Sequence, residues 1–317
     1  MPAVNELNVE GRPLVGIALK IVSVSVFVIM SSLIKAAGTV PAGQIVFFRS
    51  LFAIFPILAM LAWRHELATA FRTTRPVSHV MRGLVGVFSM GLGFFGLTRL
   101  PLPDAVTLNY AQPLIVVVFS AIFLGESVRI YRWSAVAIGF IGVVIIALPK
   151  LTLLTGAQGM DAGQGIGVIA ILGAASISAV AMLLVRKLVT TEKTATIVLW
   201  FSVTATVLAL FSIPFGWESL SWKQALCLVG AGFAGGIGQI LMTECYRHAE
   251  LSTIAPFEYT SMLLAIVIGF FAFGDVPTLY TLVGGLIVIG AGLFIIWRER
   301  QLGLKRVAAR RFVPPGS

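Results

Sequence analysis

Polar surface is what this sequence lacks. Only 11% of its 317 residues are charged, 58% are hydrophobic, and the mean hydropathy is +0.99. A soluble domain of this length cannot be covered with so little charge, which excludes the ordinary globular enzyme. Histidine is scarce, with His65, His79 and His248 the full set. No H-E-x-x-H, nucleophile–base set or pair of catalytic aspartates occurs, so an intramembrane enzyme is not expected. A G-x-x-x-x-G-K-S/T loop is also missing, and ATP drive would need a separate subunit. Cys227 and Cys245 sit on one expected helix, roughly 27 Å apart along its axis and far beyond disulfide reach. No cofactor or metal is called for. Gly91 to Gly96 fits G-x-G-x-x-G, but it lies inside an apolar span with no strand before it, which rules out a dinucleotide site.

What the sequence has is long apolar runs. A hydrocarbon layer of about 30 Å takes roughly 20 helical residues. Stretches of that order recur at 14–34, 42–63, 77–97, 103–123, 131–148, 165–185, 194–214, 223–247, 252–272 and 279–297. The short alternating segments of a barrel are not seen. The expectation is an all-α membrane protein of ten transmembrane helices. Leu14–Ile34 is taken as a span and not a cleaved leader, because 165–185 looks like its counterpart.

A net charge of +10 would suggest nucleic acid in a soluble domain, but its distribution points elsewhere. With the N-terminus placed in the cytoplasm, 16 Lys and Arg fall on that side, from Arg12 through Arg64, Arg129 and Lys193 to the tail ending at Arg311. Four, Lys35, Arg99, Lys150 and Lys223, fall on the other. Because Lys and Arg resist translocation, both termini are expected in the cytoplasm of a multi-pass protein of the cytoplasmic (inner) membrane. The expected partners are the lipid bilayer and a small-molecule substrate, with no nucleic acid; the oligomeric state is left open.

The chain also repeats itself. At an offset of 149 residues Tyr110 matches Tyr259, Gly125 matches Gly274, Glu126 matches Asp275 and Tyr131 matches Tyr280. A similar offset matches Gly16 to Gly167 and Lys35 to Arg186, so the repeat is five spans long. An odd number of crossings starts the second copy on the opposite side, and the two copies are inverted. Inverted repeats place a site near the midplane that rocking can expose to either side.

Ten spans in a 5+5 repeat, with both termini inside and Leu124-Gly125-Glu126 closing the fourth span, resemble the drug/metabolite transporter superfamily in its EamA-type branch, over nearly the whole chain. The second copy departs from the pattern, with Phe273-Gly274-Asp275 in that place. The resemblance implies that four helices of each repeat surround a central cavity while the fifth is peripheral. It further implies export of amino acids or related metabolites, and the overall likeness is to aromatic amino-acid exporters. The expected organisation is a cytoplasmic segment 1–13, a first five-helix repeat 14–150, a linker 151–164, a second repeat 165–297 and a basic cytoplasmic tail 298–317.

Polar groups inside spans are costly, and each is a candidate for a cavity. Asn109 and Gln112 share a helix face, and their counterparts at offset 149 are Glu258 and Ser261, beside Tyr110 and Tyr259. Pro113 and Pro256 permit a bend in each helix. These two faces are expected to line the substrate path, with ordinary interhelical hydrogen bonds as the alternative. Lys20, His79, Arg82, Glu244 and Glu258 fall roughly 5 to 10 Å deep on the cytoplasmic side. A gate held by Arg82 with Glu244, or by Lys20 with Glu258, is one reading, and snorkelling of the two cations the other. Arg49, about 10 Å from the outer end of its span, can hold a substrate carboxylate or pair within the protein. His79 can titrate in a proton-coupled cycle or serve only as a hydrogen-bonding group. Gln239, near the middle of its span, can face the cavity or a neighbouring helix. Phe47, Phe48, Phe94, Phe95, Trp200 and Phe201 can stack on an aromatic substrate. Gly139 and Gly142, with Gly284, Gly285, Gly290 and Gly292, suit either a dimer face or packing within the monomer.

The expected function is a secondary transporter that exports amino acids, aromatic ones included, by alternating access. The rival is efflux of organic cations or drugs, met by Glu244 and Glu258; a channel is a third class, and the inverted repeat argues against it.

Overall fold

A computed structural model describes residues 13–124, 129–151, 162–188, 191–248 and 255–311. Apolar backbone in lipid has to satisfy its own N–H and C=O groups, and these residues do so as helices. In chain order they are α1 (Pro13–Ala36), α2 (Ala42–Trp63), α3 (Pro76–Leu97), α4 (Leu102–Asn109), α5 (Ala111–Leu124), α6 (Ile130–Leu151), α7 (Ala162–Leu188), α8 (Thr194–Leu210), α9 (Trp222–His248), α10 (Thr260–Ile268) and α11 (Leu279–Arg311). Eight stretches are long and apolar enough to cross a membrane, α4 and α5 together making one of them. Shorter apolar helical segments at Ala195–Leu210 and Phe257–Phe273 stand where the seventh and ninth spans are expected. We call the face where α1 begins the near face and the face where it ends the far face.

Proline and glycine set several boundaries. Pro76 occupies the first turn of α3, where its missing N–H costs nothing. α4 and α5 meet at a break: the Tyr110 N–H bonds back to the Thr107 carbonyl at 3.1 Å, and Pro113 has no N–H to offer the carbonyl of Asn109. The matching region of the second half is irregular too, with a 3₁₀ turn over Ala255–Tyr259, then α10, then a π-helical turn over Gly269–Phe273. Gly274 closes that turn at φ +69°, a conformation that suits glycine. α11 runs past the expected end of the last span to Arg311, because the basic tail is rich in the helix formers Leu, Arg, Lys and Ala.

The repeat is visible in the packing. α1 packs on α9 and α3 on α7; α2 packs on α9 and α3 on α8; α5 packs on α7 and α1 on α10. Counting α4 and α5 as one span, exchange of the two five-span halves converts the first member of each pair into the second. The contacts of α2 on α8 and α6 on α11 map onto themselves, whereas α2 on α3 and α5 on α6, within the first half, have no counterpart of that size. Small residues allow this closeness: Ala175, Ala179, Ala231 and Ala265 are fully buried between helices. Gly142 and Gly284 face each other so tightly that a Cβ on Gly142 would stand 2.7 Å from the Gly284 carbonyl. Gly139 packs on Leu114, Gly285 on Met262 and Gly292 on Tyr259, so these glycines serve packing within the monomer. Large apolar side chains such as Phe88, Ile141, Leu286 and Phe271 point outward, as they must against lipid.

Candidate functional site

The two polar faces expected from the repeat meet. The Tyr110 hydroxyl shares a short hydrogen bond with Ser261 Oγ, and Ser261 Oγ also donates to the Glu258 carbonyl at 2.7 Å. The Tyr110 and Tyr259 rings pack edge to face with centroids 5.1 Å apart. Tyr110 is buried and Gln112 half-buried, whereas Asn109 is exposed although it lies well inside its span. An amide there is costly against lipid, which keeps Asn109 a candidate for the substrate path.

Lys20 is the largest fully buried cation, 1% exposed. Its Nζ stands 3.4 Å from Glu258 Oε2 and 3.3 Å from the Met242 sulfur. This is one of the two ion pairs read from the sequence. The other is corrected: Glu244 pairs with Arg64 at 2.8 Å, while Arg82 lays its guanidinium on the Phe201 ring, 3.8 Å from the centroid. Arg64 lies just past the end of α2 on the near face, within reach of Glu244, whereas Arg82 turns inward along α3 onto an aromatic face.

Arg49 is buried in α2 at 4% exposure, and its Nε has no hydrogen-bond partner. The Nε and Nη1 atoms of Arg82 are likewise buried and without one. Each rests against a glycine: a Cβ on Gly235 would stand 3.0 Å from Arg49 Nε, and one on Gly86 3.0 Å from Arg82 Nη1. The Met30 sulfur closes the Arg49 side and Phe201 the Arg82 side.

One turn from Arg82, His79 is buried at 1% exposure and stacks on Trp200, centroids 5.5 Å apart. Neither ring nitrogen has a hydrogen bond among the described residues; Nε2 stands 4.0 Å from Glu192 Oε2. Glu192, in the α7–α8 connection, is a residue the sequence reading missed. Its Oε1 accepts from Thr73 Oγ1 at 2.9 Å and from the Thr74 N–H and Oγ1, both at 3.0 Å, clasping the α2–α3 connection. Burial alone would raise its pKa, but these three donors and the facing His79 outweigh it and hold the carboxyl below its ordinary value. Gln239 does not join these groups; it lines a small apolar groove with Ile57, Met60 and Val198.

The far face carries two ion pairs that the sequence reading also missed. Asp104 meets Lys150 at 2.6 Å and accepts a short hydrogen bond from Thr281. Asp275 meets Lys35 at 2.5 Å and accepts from the Leu102 N–H at 2.8 Å, while Lys35 also donates to the Leu100 carbonyl at 2.9 Å. The rule that flags charges inside spans would have found Asp104. Lys35, Lys150 and Asp275 sit at span ends, where charge is unremarkable. Glu126, the counterpart of Asp275, lies outside the described residues. Among the described residues no three His, Cys, Asp or Glu side chains converge as a metal site.

A helical bundle of membrane-length apolar spans in two interlocked halves, with ionisable groups held inside it, is the architecture of a transporter of small molecules. The chain belongs to the EamA-like transporter family, whose pattern it matches twice, over residues 14–148 and 165–298. It is similar to an S-adenosylmethionine uptake transporter of Rickettsia bellii, 25% identical across 91% of this chain and 94% of that one. A pseudopaline exporter of Pseudomonas aeruginosa is 28% identical across 87% and 94% of the two chains. A riboflavin transporter of Vibrio cholerae is 25% identical across 93% and 97%. A solved crystal structure shares the fold, with a TM-score of 0.62 and 19% identity over 90% of this chain and 98% of the other. Family and relatives alike are transporters, not enzymes.

Proposed function

We propose that this protein is a secondary carrier that exports amino acids, aromatic ones included, across the cytoplasmic membrane by alternating access. It does so as ten spans in two inverted five-span repeats, at 14–150 and 165–297, with both termini and the tail 298–317 in the cytoplasm. One observation carries the substrate class: Arg49 Nε and Arg82 Nε and Nη1 are buried donors with no hydrogen-bond partner among the described residues, Arg49 beside Met30 and Arg82 on the Phe201 ring. A carboxylate satisfies such donors with charge-assisted hydrogen bonds, and an aromatic or aliphatic body suits the ring and the thioether. Asn109, Gln112, Tyr110, Tyr259 and Ser261 line the path across the break between α4 and α5. Lys20 with Glu258 serves as a near-face latch, and His79 stands where it can report protonation. The relatives' printed names include one uptake and one export function, so the export direction rests on the resemblance noted in the sequence.

The test is uptake of labelled phenylalanine, tryptophan and threonine into proteoliposomes under an imposed pH gradient. Competition comes from 3-phenylpropionate, which keeps the carboxylate, and from phenethylamine, which keeps only the ammonium. Saturable uptake blocked by phenylpropionate supports the reading. A second reading has its own support, since Glu258 is 46% exposed beside the Tyr259 ring and can meet an organic cation. Flux of a lipophilic cation, with no amino-acid flux, would replace the first reading with that one.

A further inference from the structure

Each face of the bundle carries a clasp that joins the two halves, and the repeat relates the clasps. On the near face Glu192, just ahead of α8, holds Thr73 and Thr74 in the α2–α3 connection. On the far face Gln44, in the first turn of α2, holds the backbone of Glu218 in the α8–α9 connection, donating to its carbonyl at 2.9 Å and accepting from its N–H at 3.3 Å. Gln44 and Glu192 are 148 residues apart, within one residue of the repeat offset. Their chemistry differs. The near clasp sets a carboxylate against His79, whereas the far clasp is an amide on backbone, and the place of His79 in the second half is taken by the buried Leu228. The chain's three histidines, His65, His79 and His248, all stand toward the near face.

His79 stands against both ties that bind the α2–α3 connection. Its Nε2 faces Glu192 Oε2 at 4.0 Å, and its ring stacks on Trp200, whose Nε1 donates to the Phe71 carbonyl at 3.3 Å. The imidazole is 1% exposed and without a hydrogen bond among the described residues, a setting that suits the neutral ring. A proton would place a charge where the facing carboxylate lies beyond hydrogen-bond reach and its other oxygen is engaged by three donors. The other charged side chains described around it give no relief. Arg75 and Arg82 are cations one turn back and one turn on along α3, while Lys193 and Arg64, from the neighbouring elements, are turned to Glu66 and Glu244. Once the connection lifts, the same imidazole reaches water and can be charged at no such cost. We infer that the near-face clasp is released by protonation of His79, and that the far-face clasp does not answer to that proton. The clasp is at full strength above the ordinary imidazole pKa of about 6.5 and weakens as pH falls below it, well before carboxylates titrate.

The inference sharpens the part given to His79 above, and its readout needs no transport, so a failure of the amino-acid reading would leave it standing. The detergent-solubilised full-length protein is nicked with papain from pH about 7.5 to about 5, each rate divided by that of the unfolded chain at the same pH. Cleavage within 65–75 is expected to rise at least about threefold as pH falls through this range, while cleavage within 211–221 stays level. His79→Phe keeps a ring on Trp200 without a titratable nitrogen, and His79→Gln keeps a smaller polar group; either is expected to hold the 65–75 rate level. A native rate that stays level overturns the inference. So does a rate that falls, which would mean that the imidazolium draws Glu192 closer. An equal rise at both connections, or a rise that survives in the variants, overturns it as well. Where a variant fails to fold, the native contrast between the two connections decides.

Discussion

The two faces of the bundle use ion pairs in opposite ways. At the far face the Asp104–Lys150 pair is nearly dry, its side chains 2% and 8% exposed, and the neighbouring Lys35–Asp275 pair is only slightly wetter. At the near face Lys20 is buried, but its partner Glu258 is 46% exposed, and Lys193 with Glu66 is open to solvent. Removing one member of a dry pair strands a charge, whereas an exposed pair is screened and loses little. The far-face pairs are therefore expensive to break, whereas the near face mixes pairs that water can replace with the dry His79–Glu192 contact, 0% and 5% exposed.

The largest effect in this comparison is expected from Asp104→Ala. It strands Lys150 and should lower stability by about 3–5 kcal/mol in unfolding titrations of the detergent-solubilised protein. The double replacement Asp104→Leu with Lys150→Met should recover most of that loss, and failure to recover would mean that the pair does more than hold the face shut. Asp275→Ala removes acceptors from Lys35 and from the Leu102 N–H, and about 1.5–3 kcal/mol is expected in the same assay. Near-face changes should cost less. Glu258→Gln keeps an oxygen acceptor near the buried Lys20 and should alter transport while leaving the protein folded, and unchanged transport would take Glu258 out of the mechanism.

The clasp at Glu192 carries a pH signature. Its folded pKa is depressed, so its contribution is full above the unfolded carboxylate value of about 4.3 and is lost as pH falls below that through its own lower pKa. Proteolytic nicking in the segment 65–75 should therefore rise in acid, and Glu192→Gln should show the raised nicking at neutral pH. Lys193→Gln, at the wettest pair, should change stability by no more than about 0.5 kcal/mol, and a larger loss would blur the contrast between the faces.

The fold was legible because lipid leaves the backbone few options and the 149-residue offset survives in Tyr110, Tyr259, Gly125 and Gly274. The same offset relates the Asn109–Gln112 face to the Glu258–Ser261 face but does not itself foretell the Tyr110–Ser261 hydrogen bond, and depth along the helices offers Lys20 with Glu258 as one of two pairs. Depth alone could not choose between partners, which is why Arg82 was given Glu244 when a ring on α8 lay closer. Glu192 escaped because connections carry no periodicity, and its role depends on two threonines more than a hundred residues away. The sequence leaves Gln239 open between cavity and neighbouring helix because the orientation of α9 depends on the glycines around it, which pack on α1 at Phe27 and Leu33 and on α2 at Phe52 and Pro56.

The exchangeable packing of the two halves has a consequence for direction. In the carrier reading, the main contacts between the halves are exchanged by swapping the five-span units, while α2 on α3 and α5 on α6 have no match of that size in the second half, so a forward stroke and its reverse use related but unequal surfaces. Which way solute flows is then a property of the concentrations on either side and of small biases such as the unequal latches. Similar chains named for uptake and for export need no separate machinery, because one reversible device can serve either cell economy.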